Sequence, residues 1–102
     1  GPAHHAAILR DAALPACRAV SLHGKGRFAE AVAALRPALG SLHRLGGSHA
    51  QQDVLEQLFL DAAMKAGSAE DTRLALERAA GRYSLSPARR VGYAEAALAV
   101  AW

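Results

Sequence analysis

Glycine followed by serine interrupts this chain twice, at Gly46-Gly47-Ser48 and at Gly67-Ser68, and between the interruptions the sequence keeps helical periodicity. Glycine reaches the positive φ values that end a helix, and serine caps the start of the next. Ser48 with Gln51 makes one capping box, and Ser68 with Asp71 makes a second. Between them lies HAQQDVLEQLFLDAAMKA, in which Val54, Leu55, Leu58, Phe59, Ala62, Ala63 and Ala66 recur at three- and four-residue intervals. This spacing predicts a central helix contacted from both sides, with Phe59 deep in the core.

The same grammar organises the rest. Residues 6–25 read as a first helix with Leu14, Cys17 or Arg18, Val20 or Ser21, and Leu22 near one face. Pro15 requires either a late start or a kink, because proline has no amide donor and its ring crowds the carbonyl four residues earlier. The turn Gly24-Lys25-Gly26 closes it. Phe28, Val32, Leu35, Leu39 and Leu42 then draw a seam along a second helix, which Pro37 is expected to bend without stopping. A fourth helix over 69–83 presents Thr72, Leu76, Ala79, Ala80 and Tyr83. Ser86-Pro87 opens a fifth over 88–101, with Val91, Ala94, Leu98 and Ala101 or Trp102 inward. Gly1-Pro2 reads as the scar of a cleaved tag, with residues 1–5 expected to be disordered and outside the domain.

No segment offers the alternating β-branched pattern of a strand, so the chain reads as all-α, with about five helices. At 102 residues it is one domain, 6–102, made of a helix pair over 6–45, a second pair over 48–84 and a closing helix over 86–102. Twelve basic and nine acidic residues are interleaved, with no cationic run longer than Arg89-Arg90, which argues against a nucleic-acid partner. Arg78, Arg82, Arg89 and Arg90 gathered by folding form the one alternative, set against an ordinary solvated face. No run approaches the roughly twenty apolar residues that span a bilayer. The single Cys17 excludes an internal disulfide and suits a reducing, cytoplasmic setting; its simplest role is a small buried apolar residue.

Chemistry is harder to find than architecture. His4, His5, His23, His43 and His49 show no metal-ligand spacing, so neither metal nor cofactor is expected. Glu56, Asp61, Glu70 and Asp71 are the acid–base candidates, yet no nucleophile stands at a telling distance and Asp71 has a capping role. No catalytic residue is assigned.

Two helix pairs superpose when Gly26 is laid on Gly67, 41 residues apart, against about 34 for the tetratricopeptide unit. The segment GKGRFAEAVAAL resembles the core of that repeat: Gly26 matches its turn glycine, Phe28 the following aromatic, and Ala31 and Ala38 its small packing residues. The second unit is degenerate, with Thr72 where alanine is usual. A longer block, LHRLGGSHAQQDVLEQLFLDAAMKAG, resembles the C-terminal region of the tetratricopeptide repeat protein 38 family. That family carries a similar GGS-x-AQRDVF-x-Q stretch, and the likeness runs over roughly residues 13–100. This chain has Gln52 in place of the arginine and Leu55 in place of the phenylalanine. The resemblance implies antiparallel helix-turn-helix pairs stacked as a right-handed superhelix at the tail of a longer helical-repeat protein. It carries over no activity.

Such a scaffold has a concave face lined by the first helix of each pair. Counting from the turn glycines places Cys17, Val20 and His23 beside Gln57, Asp61, Met64 and Lys65, with Arg90 and Tyr93 continuing the surface. His23, Gln57, Asp61, Lys65, Arg90 and Tyr93 are therefore the candidate contacts for a protein or peptide partner, which includes the parent chain itself. The competing reading is a cap on a longer solenoid: AAILRDAALPACRAV is too apolar for water, so the chain is expected to self-associate as a homo-oligomer. A small-molecule or enzymatic pocket is the third reading, favoured by a deep cavity around His23 and Asp61.

Overall fold

The computed structural model describes residues 1–46, 49–82 and 93–102, and every regular element among them is helical. Helix α1 (Pro2–Ile8) passes through a π-helical turn (Leu9–Ala13) into α2 (Leu14–Gly24). α3 (Phe28–Leu35) runs on as a 3₁₀ segment (Arg36–Leu45), followed by α4 (His49–Lys65), α5 (Ala69–Arg82) and α6 (Ala94–Ala99). α2 packs against α3 and α4 against α5 as two hairpins, and α3 lies against α4 to join them. α4 also touches α2 and the 3₁₀ segment, which makes it the central helix. No helix among the described residues is long and apolar enough to cross a membrane.

Both hairpins turn in the same way. The Gly26 amide donates to the His23 carbonyl and the Arg27 amide to that of Leu22; Gly67 donates to Met64 and Ser68 to Ala63 in the same register. These are paired bonds of a Schellman turn, and they require the left-handed backbone that Gly26 (φ +75°) and Gly67 (φ +73°) supply. The chain closes on a third copy, with Ala101 donating to Leu98 and Trp102 to Ala97, where alanine holds φ +52°. Gly46, at φ 77° and ψ −169°, occupies a region essentially closed to other residues, so the 3₁₀ segment ends there. After the second turn the Ser68 hydroxyl accepts the Asp71 amide at 3.2 Å and donates to its carboxylate at 2.6 Å, as the S-x-x-D pattern requires. The Ser48 box, Tyr83 and the Ser86-Pro87 cap lie outside the described residues.

Pro15 and Pro37 are absorbed without ending the run of helix. At Pro15, which cannot donate, the chain widens: the Leu14 amide reaches back five residues to Leu9, so the helix continues through a π turn. Beyond Leu35 the helix tightens instead, and the three-residue repeat of the 3₁₀ segment aligns Leu39, Leu42 and Leu45 toward the core. These two irregular segments pack on each other, and Arg44 reaches Asp11 across the contact at 3.3 Å. The first helix begins at Pro2, so residues expected outside the domain form its opening turn.

Among the described residues, ten of the twenty side chains in the main core cluster are alanine. Small side chains let helix backbones approach closely, so bulk is concentrated in Phe59, Leu35, Leu42, Leu76 and Tyr93, the largest fully buried residues. Several faces depart from the sequence expectation. On the first helix Ala12, Ala16, Ala19 and Leu22 point inward, while Leu14, Cys17 and Val20 are exposed. Cys17 is thus no core residue. Val54, Ala66 and Ala80 also face solvent. On α6 the buried residues are Ala96 and Ala97, flanked by Tyr93 and Val100, while Ala94 and Leu98 point out.

A part-buried ion pair, with the carboxylate side inside, ties α4, α5 and the 3₁₀ segment together. Arg78 Nη2 lies 2.6 Å from Glu56 Oε1, Arg78 Nε donates to both carboxylate oxygens at 3.0 Å, and Nη2 also donates to the Leu39 carbonyl at 2.9 Å. The fork of the guanidinium matches both oxygens of the carboxylate, which is why arginine suits this place. Arg36 similarly links the first hairpin to the second through Asp71 at 2.7 Å and Glu70 at 3.0 Å. Arg73 donates to the Val100 carbonyl, which tethers the end of α6 to α5.

Candidate functional site

Gln57, Asp61 and Lys65 stand four residues apart on α4, and so share one face. His23, three residues before the first turn glycine, closes on that face from α2: its Nε2 lies 2.6 Å from Asp61 Oδ2. A carboxylate only accepts, so Nε2 carries the proton. Lys65 Nζ reaches the same oxygen at 3.0 Å and sits 5.1 Å from the centroid of the Phe28 ring. That ring meets His23 edge-on at 5.4 Å. One carboxylate therefore gathers an imidazole and an ammonium, and one aromatic ring supports both.

Partial burial pushes the Asp61 carboxyl up, but hydrogen bonds from His23 and Lys65, reinforced by the lysine charge, outweigh it. The group is held below the usual carboxylate range and stays ionised. Gln57 is exposed and donates to Asp53 at 2.8 Å, an i,i+4 partner on the same helix.

A half-open pocket of about 440 Å³ adjoins this cluster, lined among the described residues by Gln57, Leu60, Asp61, Met64 and Lys65 of α4 and by Glu95 of α6. Three of the six candidate contacts, Gln57, Asp61 and Lys65, thus share one cavity, and His23 is bonded to its wall. Tyr93 does not belong to the surface. Only 1% of it is exposed, because it begins α6 with its large apolar body inside the core. Arg90 lies outside the described residues. Leu60 and Glu95 were missed: Leu60 is next to the predicted face and Glu95 belongs to a helix whose phase the sequence does not fix.

The carboxylates considered for acid–base chemistry are individually paired, Glu56 with Arg78, Asp61 with Lys65 and His23, and Glu70 and Asp71 with Arg36. Among the described residues no cluster of three or more His, Cys, Asp or Glu side chains is arranged to hold a metal ion. No protein-family model matches the chain, and no solved structure matches it.

Proposed function

We propose that this domain is a protein-interaction module that binds a peptide segment of a partner through the face carrying His23, Gln57, Asp61 and Lys65. The observation that carries this reading is the pocket beside the His23–Asp61–Lys65 cluster: charged and amide groups around Leu60 and Met64, with no Ser, Thr or Cys among its described lining residues. Polar groups fixed in advance around apolar walls suit recognition of side chains. Two hairpins, each closed by the same kind of glycine turn, are what a tetratricopeptide-like scaffold requires. We read them as consecutive units of a right-handed superhelix, in keeping with the resemblance to the tail of the tetratricopeptide repeat protein 38 family.

The test is capture of partners by the longer parent protein, with and without this segment, followed by the double variant His23→Ala/Asp61→Ala. Partner capture that falls with both changes, while the circular dichroism spectrum stays helical, supports the reading. Undiminished capture by the double variant removes it.

One observation favours a second reading, a solenoid cap that self-associates in isolation. Leu9, Leu14 and Val20 on the first helix are 52%, 61% and 49% exposed, an apolar set that water does not favour.

A further inference from the structure

We propose that the pocket between α4 and α6 is a socket for one cationic side chain, a lysine or arginine of the bound peptide; this rests on the peptide-binding reading above. The argument is one of charge. Asp61, Lys65 and Glu95 are the charged groups among the described lining residues. Lys65 is committed to Asp61 at 3.0 Å and to the Phe28 ring, and Asp61 is also engaged by His23 at 2.6 Å. Asp61 is therefore balanced within the protein. Glu95, across the cavity on α6, forms no ion pair with any described residue, so among the described lining residues it is the one charge left unbalanced.

The walls fit the same occupant. Leu60 is buried and Met64 half-buried, and together they offer an apolar surface and a polarizable thioether on which a methylene stem can lie. Gln57, at the exposed end of the row, supplies an amide for the peptide backbone or for a guanidinium. An acidic side chain in the same space would face Glu95 with like charge, which provides discrimination as well as attraction.

The test uses the full chain, immobilised, against a positional library of N-acetylated hexapeptide amides, each pool fixing one residue type at the third position. Pools with lysine or arginine should be retained, with retention falling as salt rises. Glu95→Gln should weaken the best basic peptide about tenfold, the scale of one charge-assisted contact. Glu77→Gln, an exposed acid on α5 outside the pocket, should leave binding unchanged. Met64 is the single methionine, so its methyl resonance is an unambiguous reporter and should shift on addition of that peptide. Retention of peptides without a basic preference, equal binding by Glu95→Gln, or a Met64 methyl that does not move overturns the socket and leaves peptide binding standing. Failure to retain any pool overturns both.

Discussion

Glu56 sits in a place with little water, and the Arg78 fork donates to both of its carboxylate oxygens. Glu56 keeps only 7% of its side chain exposed, so losing these charge-assisted bonds in Arg78→Met should cost about 1.5–3 kcal/mol in a urea titration. Asp61 gives a prediction in pH. Its folded pKa is depressed, so its contribution to stability is complete above the unfolded value near 3.9 and fades as pH falls through the lower folded one. The gap in urea midpoint between the wild type and Asp61→Asn should therefore be widest at pH 5 and above, and close in more acidic buffer. Equal gaps at pH 5 and pH 2.5 would mean that the His23 and Lys65 bonds do not act on folding.

At the scale of the element, the hairpin turns carry the most specific expectation. A methyl added at Gly26 or Gly67 meets nothing within 4 Å, so the cost of Gly26→Ala or Gly67→Ala is torsional alone. Each should lose about 1–2 kcal/mol, and the two losses should be alike because the turns have the same bonds. Chemical denaturation of the two single variants checks this. Elements were legible in the sequence where glycine and serine mark their ends, and where valine, leucine and phenylalanine set the phase, as at Val32, Leu35, Leu39 and Phe59. They were not legible where alanine lies on every side. In AEAALAV, residues 94–100, periodicity offers Leu98 as the obvious inner residue, yet Leu98 is 84% exposed and Ala96 is fully buried. Prolines were visible as disturbances, but the π turn before one and the 3₁₀ segment around the other depend on how each helix meets its neighbour. Half of the site was read by counting back from the turn glycines, which brought His23 to Asp61. Glu95 and Phe28 joined through packing between helices, which no local pattern encodes.

Seen whole, the molecule is a slab of 44 × 31 × 18 Å, thin along one axis as two layers of helix require. Its first helix leaves Leu9, Leu14 and Val20 outward. Sedimentation should show concentration-dependent association that Leu14→Gln/Val20→Gln abolishes; a strict monomer at millimolar concentration would remove the solenoid-cap reading. The alanine-rich interior has a thermal consequence. Heat capacity on unfolding follows the hydrocarbon newly wetted, and a core half made of single methyl groups wets little. Calorimetry should find a heat-capacity step below the usual 12–15 cal/mol/K per residue, and hence a flat stability curve. Such a domain would change little in stability between a cold cell and a warm one.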